Sequence, residues 1–330
     1  PRAWWMSAWP VPGGAAWPQA WPLPGIAALR AGNTGVEGAW HFESGQPGRR
    51  VLISALIHGN EICGAWALKG LLEAAIRPQR GALTLMFCNL AAFDTFDAAR
   101  PDAARFVDED LNRHWSPARL QSGSSLERRR AAELRPCVGQ ADWLLDLHSM
   151  HEPSAPLLLT GVQPRNLDLA RQLRASEHIV VDAGHSDGVR MRDFGRFGLP
   201  DDAAAGDTRS LLIECGLHGD PSSRAVAQDM CLRFLQAAGT LDGSAPDAQL
   251  PGWRLPDAPR QWALKVDGAA VARSERFAFV APFTGLEELA HAGTVIGHHD
   301  GPGEGEPVVT PYDDCVLVMP SVRLARAGVT

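Results

Sequence analysis

An α/β body built on a largely parallel sheet, followed by a small all-β module, is the fold class this sequence predicts. From about residue 50 to residue 240, short apolar runs rich in branched residues alternate with segments of helical periodicity. Strand–helix–strand units of that size join parallel strands. After residue 239 the texture changes to short apolar runs separated by Gly, Pro and Asp turns, the pattern of a small β structure. The chain has 330 residues, 45% hydrophobic and 21% charged, an ordinary soluble composition with room for about two domains.

The first 25 residues hold five of the 11 tryptophans and three Trp-Pro pairs. Proline forbids a regular helix there, and the stretch lacks a continuous apolar segment of the signal-peptide kind, so 1–25 is expected as an extended arm on the body. Residues 50–57 read as a buried strand, 61–76 as a helix stopping before Pro78, and 82–89 as a second strand. A helix over 125–134, a strand over 143–147, a helix over 166–175, and strands over 178–182 and 210–214 follow. A helix over 221–238 closes the body, with Asp220 as cap and Pro221 in the first turn. Residues 1–240 are thus expected as the α/β domain. Rich in Gly, Pro and Asp, 241–262 is expected as a linker. RFAFVAPF, TVIGHH, EPVVTPY and CVLVMPSV supply the strands of a β-rich domain over 263–330.

The formal net charge of -7 is mixed along the chain. No basic stripe suggests nucleic acid, and no apolar run reaches the length of a membrane-spanning helix. A small-molecule substrate is the expected partner, with homo-oligomerisation left open. Six cysteines are dispersed and none forms a CxxC pair, which reads as a reduced, cytoplasmic protein whose thiols pack as small core residues. Cys63 and Cys215 are read that way although each lies within two residues of a glutamate.

In open α/β sheets, ligands bind beyond the carboxyl ends of the strands, so the polar residues there carry the chemistry. The first strand runs into His58-Gly-Asn-Glu61. On one helical turn, side chains three apart are neighbours and can share an ion, and Gly59 lets the backbone turn. Alone, His-x-x-Glu is a weak signal, and a helix cap is the plainer explanation. A later strand ends in Asp146-Leu-His148-Ser. His148 offers a third ligand, and catalytic zinc takes three protein ligands plus a water. Asp146, on the same side of the strand, is placed either to orient a ligand imidazole or to pair elsewhere. Glu214 ends the apolar run SLLIE, where a carboxylate needs a function or a partner. As a general base beside a metal, it would activate water and then protonate a leaving nitrogen. The segment Arg105-Phe-Val-Asp-Glu-Asp-Leu-Asn112-Arg113 holds two guanidinium groups suited to a carboxylate or a carbonyl. Read alone it is a solvated loop.

HGNE at 58–61, DLNR at 110–113, DLHS at 146–149 and IECG at 213–216, in that order, resemble the succinylglutamate desuccinylase/aspartoacylase family of zinc carboxypeptidase-like acylases. The resemblance spans 50 to about 220, and the segment near 265–325 resembles that family's C-terminal domain. It implies a mixed, largely parallel sheet flanked by helices. It implies one zinc ion per chain on His58, Glu61 and His148, with Glu214 as general acid/base. Arg105, seven residues before Asn112, would polarise the scissile carbonyl, and Asn112 and Arg113 would hold the substrate. The implied reaction is hydrolysis of the amide bond in a small N-acyl amino acid or related compound. Aspartoacylases proper carry a further arginine about ten residues before the base. Here 201–207 has none, and Arg190 and Arg192 in GVRMRDFG are the candidates to replace it. Those enzymes also use a tyrosine from the C-terminal domain; the only one here is Tyr312. His291, His298 and His299 read as loop histidines rather than a second metal site. A zinc peptidase acting on a short or cell-wall peptide is the alternative activity, and a non-catalytic binding module is the third reading.

Overall fold

The computed structural model describes residues 21–121, 123–185, 187–243 and 245–322. Most of the expected N-terminal arm lies outside the described residues. Two compact units divide the described chain, one ending at Ala269 and the other starting at Ala270.

The first unit is organised by an eight-stranded sheet. Its strands are β1 (Ala39–Glu43), β2 (Arg50–Ala55), β3 (Ala82–Phe87), β4 (Trp143–Met150), β5 (Leu157–Leu159), β6 (His178–Val181), β7 (Arg209–Leu217) and β8 (Trp262–Lys265), in the spatial order β1-β3-β2-β4-β7-β5-β6-β8. β3, β2, β4 and β7 run parallel, and β5 lies antiparallel to β7. β6 and β8 follow β5 in parallel, and β1 is antiparallel on β3. The sheet is therefore mixed and largely parallel. Every residue of β3 and β4 is buried, and so is all of β2 past Arg50. Parallel strands covered on both faces read as continuous apolar runs for that reason.

The helices are α1 (Ile62–Glu73), α2 (Leu90–Asp94), α3 (Pro117–Gln121), α4 (Leu126–Gln140), α5 (Pro164–Leu173), α6 (Pro221–Ala237) and α7 (Ala245–Gln249). Three have the starts their sequences suggest. Ser125 caps α4 by accepting from Arg128 N, Asp220 caps α6 by accepting from Ser222 N, and Pro164 and Pro221 occupy first-turn positions. α1 lies close on the sheet because residue 64 is glycine: a Cβ there would stand 2.7 Å from Leu147 Cβ and 2.9 Å from Ala55 Cβ.

The structure departs from expectation in several places. α1 begins at Ile62, with Glu61 as its capping residue, so His58 and Glu61 do not share a helical turn. A tight turn joins them instead. Leu56, not Gly59, takes the positive φ there, at 58°. Gly59 is required by proximity, since a Cβ would come within 2.4 Å of Ala92 C and Phe93 N and 2.5 Å of Ala104 O. The segment 241–262, expected as a linker, is packed: it contains α7 and buries Leu250, Trp253 and Ala258. Trp262–Lys265, straddling the expected start of the β module, extends the large sheet as β8. Among the described residues, the unit from Ala270 holds five short strands, β9 (Ala278–Phe279), β10 (Glu287–Leu289), β11 (Val295–His298), β12 (Pro307–Val309) and β13 (Cys315–Leu317). They pair antiparallel as β12-β11-β9 and β10-β13. His298 lies on β11 rather than in a loop, and His299 after it is buried.

Gly59→Ala is expected to destabilise the protein by about 1–3 kcal/mol, because three backbone atoms cannot move aside cheaply. Urea unfolding of the purified variant measures this, and a change below about 0.5 kcal/mol would show that the two loops part readily.

Candidate metal centre

β2, β4 and β7 are adjacent and parallel, so their carboxyl ends lie side by side. His58 follows β2, His148 lies near the end of β4, and Glu214 is its register partner on β7. All three side chains are buried, as is Glu61. The sheet register alone therefore brings together groups that are distant in sequence.

The Glu61 carboxylate sits between the two imidazoles. Its Oε1 is 2.8 Å from His58 Nδ1 and its Oε2 is 2.8 Å from His148 Nδ1. One ligand atom from each of His58, Glu61 and His148 lies within 4.8 Å of the others. Each imidazole meets another carboxylate on its far side. His58 Nε2 is 3.0 Å from Asp110 Oδ1, and His148 Nε2 is 2.9 Å from Asp146 Oδ2. Asp146 Oδ1 in turn accepts from Ser54 Oγ at 2.8 Å on the neighbouring strand. Asp110 is hydrogen-bonded to His58 and so sets the ring of that ligand through its other nitrogen, whereas Asp146 approaches His148 as an ion pair in which neither His148 Nε2 nor Asp146 Oδ2 makes a hydrogen bond. The two histidines thus turn the same nitrogen, Nδ1, toward Glu61, and the donor set of two imidazoles and one carboxylate is one that catalytic zinc uses. The residues present fit a zinc-type ion.

The electrostatics follow from burial and pairing. Burial pushes the Glu61 carboxyl up, but the two histidines outweigh it and hold the group well below the ordinary carboxylate value. Burial pulls His148 down, while Asp146 and Glu61 raise it well above the usual imidazole value. Glu214 shows the opposite balance. Burial lifts it to about 8, against the pull of His148 and with a further push from Glu61. Its Oε2 has no hydrogen-bond partner. A buried, unpaired carboxylate oxygen is costly in a fold that has no use for it.

The arginine-bearing loop closes over this group. Arg105 O accepts from Gly59 N at 3.2 Å. The Arg105 guanidinium reaches Glu61 Oε1 through Nη1 at 3.4 Å and Asp110 Oδ2 through Nη2 at 3.2 Å. Asn112 is buried, and its Oδ1 accepts from Met191 N at 2.9 Å. Arg113 donates through Nε to Asp187 Oδ1 at 3.0 Å and through Nη1 to Asn112 O at 3.2 Å. Sequence reading missed the anchor of this loop. The buried Glu127 carboxylate of α4 accepts from the consecutive amides of Val107, Asp108 and Glu109 at 2.7, 3.0 and 3.2 Å, and from Asn89 Nδ2 at 3.2 Å. Asp108 Oδ2 returns the contact by accepting from Leu126 N at 2.8 Å.

Arg190 and Arg192 are both occupied. Arg190 pairs with Asp182 at 2.6 Å and with Asp193 at 2.7 Å. Arg192 is fully buried and donates to Thr160 O, Ser210 O, Ser210 Oγ and Asp193 Oδ1. These contacts bind neighbouring chain segments together. His58, Glu61 and His148 form the one metal-type cluster of His, Cys, Asp and Glu among the described residues.

Residues 47–192 match the model of the succinylglutamate desuccinylase/aspartoacylase catalytic domain. The match takes in His58, Glu61, Arg105, Asn112, Arg113 and His148, and ends before Glu214. The chain is 31% identical over 145 residues to an N-acyl-aromatic-L-amino acid amidohydrolase (carboxylate-forming) of Rattus norvegicus, covering 40% of this chain and 43% of that one. It is 33% identical over 128 residues to a succinylglutamate desuccinylase of Burkholderia orbicola (strain AU 1054), covering 34% and 36%. The chain thus spans less than half the length of these curated relatives. A crystal structure of a succinylglutamate desuccinylase/aspartoacylase from Rhodobacter sphaeroides superposes with a TM-score of 0.59 over 86% of this chain and 84% of its own, at 20% identity. At that identity the likeness shows the fold, and the fold is that of the desuccinylase/aspartoacylase proteins.

Glu214 gives a stability prediction for the metal-free protein. A carboxyl whose folded pKa is raised contributes stability that is fully present below the unfolded value and is lost as pH rises through the folded value. The window here runs from 4.5 to about 8. Across it, the melting temperature of metal-free wild type is expected to fall relative to that of Glu214→Gln. Parallel melting curves for the two proteins over that range would contradict the assignment.

Proposed function

We propose that this protein is a zinc-dependent hydrolase that cleaves the amide bond of a small N-acyl amino acid or related compound, releasing the carboxylate and the amine. The observation that carries the reading is the buried His58–Glu61–His148 cluster with Glu214, whose Oε2 has no hydrogen-bond partner, facing His148 on the adjoining strand. The two similar proteins, an amidohydrolase and a desuccinylase, support the same reaction class.

His58, Glu61 and His148 would hold one zinc ion, and bound zinc supplies Lewis acidity to the attacking water and the amide carbonyl. The protein's own groups do the rest. Glu214 takes a proton from the water through its free oxygen and passes it to the leaving nitrogen, so that no charged amide nitrogen has to depart. A cation in the site favours its ionised form and so opposes the burial that raises it. Arg105 donates N–H groups to the carbonyl oxygen as negative charge develops there. Arg113 offers a guanidinium to the substrate carboxylate, and Asn112 anchors the loop carrying it through Met191 N. Six dispersed cysteines without a CxxC pair suit a reducing compartment, the cytoplasm in this reading. No described helix is long and apolar enough to cross a membrane.

Elemental analysis of the purified protein is expected to find about one zinc per chain. His148→Ala should lose it. Glu214→Gln should keep it while turnover falls by roughly 10²–10⁴-fold. In a screen of N-acyl amino acids beside short peptides, the N-acyl amino acids should be cleaved faster. A Glu214→Gln protein that turns over normally, or a clear preference for peptides, would sink this assignment.

A further inference from the structure

Beside the metal centre lies a closed ring of contacts that the proposed chemistry has not used. His151 follows β4 by one residue. Its Nδ1 is 3.1 Å from Asp102 Oδ1, and its Nε2 is 3.2 Å from Arg105 Nη1. Asp102 lies in a 3-10 turn, Pro101–Ala104, and its carbonyl accepts from Arg105 N at 3.2 Å. Asp102 therefore holds Arg105 twice, through the backbone directly and through the side chain by way of His151. The other side of the imidazole is filled by His218, edge-on with ring centroids 4.7 Å apart, and His218 Nδ1 is 2.7 Å from Ser149 Oγ.

The chemistry of the ring selects one tautomer. A carboxylate only accepts, so Nδ1 must carry the hydrogen. A guanidinium only donates, so Nε2 must present its lone pair. The neutral Nδ1–H imidazole is the one form that satisfies both contacts. We propose that His151, set in this form by Asp102, is a positioning residue that holds the Arg105 guanidinium for the scissile carbonyl. The inference rests on the role given to Arg105 in the proposed function.

The need for such a residue follows from Arg105's other neighbours. Glu61 and Asp110 both attract the guanidinium. A guanidinium drawn fully onto Glu61 would compete for carboxylate lone pairs that a bound metal requires. His151 offers Nη1 a third acceptor that adds no negative charge to the site. Its effect is orientation, and orientation of a group that acts as charge develops is felt in kcat more than in KM.

The test uses full-length, zinc-loaded protein. His151→Ala is expected to lower kcat by about 10- to 100-fold, with KM changed by less than about twofold and zinc content unchanged. His151→Gln, whose amide oxygen can stand where Nε2 stood, should recover most of the loss. Asp102→Asn should lower kcat in the wild-type background and have no effect in the His151→Gln background, where no imidazole remains to be set. Equal loss from Asp102→Asn in both backgrounds would overturn the inference, as would a His151→Ala protein with unchanged kcat. Arg105→Ala is measured alongside. If it slows turnover while His151→Ala does not, only this inference falls. If Arg105→Ala also turns over normally, the role of Arg105 in the proposed function falls with it.

Discussion

One buried carboxylate organises the centre of this protein. Glu61 meets His58 through one oxygen and His148 through the other, each at 2.8 Å, and Arg105 approaches the oxygen shared with His58. A carboxylate in so dry a position is expensive unless its lone pairs are matched, and here the match comes from residues on separate elements. The group can therefore form only when β2, β4 and the Arg105 loop are all in place. A metal ion bound between the imidazoles would answer the same negative charge.

The loops around the centre are held by polar contacts to the main chain as well as by apolar packing of Leu111 and Trp115. Glu127 gathers three consecutive amides of the Arg105–Asp110 stretch, and Gly59 N donates to Arg105 O. Asp110 then reaches His58 from outside, as Asp146 reaches His148 from the sheet. The result is a site with His148 on β4, His58 and Glu61 in the turn between β2 and α1, and supporting groups on β4 (Asp146) and on a loop tied to α4 (Asp110). Rigid strands set position, and the locked loops set orientation.

The buried parallel strands were legible in the sequence because burial on both faces leaves a continuous apolar run, as in RVLISA and ALTLMF. The strands that escaped notice are the short or half-covered ones. β5 has three residues, and β1 and β8 are edge strands with mixed burial. Such segments carry no period long enough to detect. His58, Glu61, His148 and Glu214 stood out because each interrupts or ends an apolar run. Their contact geometry was less legible. His-x-x-Glu suggested a helical turn, whereas a turn before the helix brings the pair together. The partners Asp102, Glu127 and His151 lie in polar surroundings, and their roles depend on contacts between residues 18 to 49 positions apart. No local pattern announces such contacts.

The most direct measurement of the central claim is a crystal structure of the zinc-loaded protein with anomalous scattering recorded at the zinc edge. The account predicts a single strong peak per chain, about 2.0–2.2 Å from His58 Nδ1, His148 Nδ1 and a Glu61 oxygen, with the Glu214 carboxylate facing it. A zinc peak bound elsewhere, with these three residues still paired to one another as they are without an ion, would contradict it.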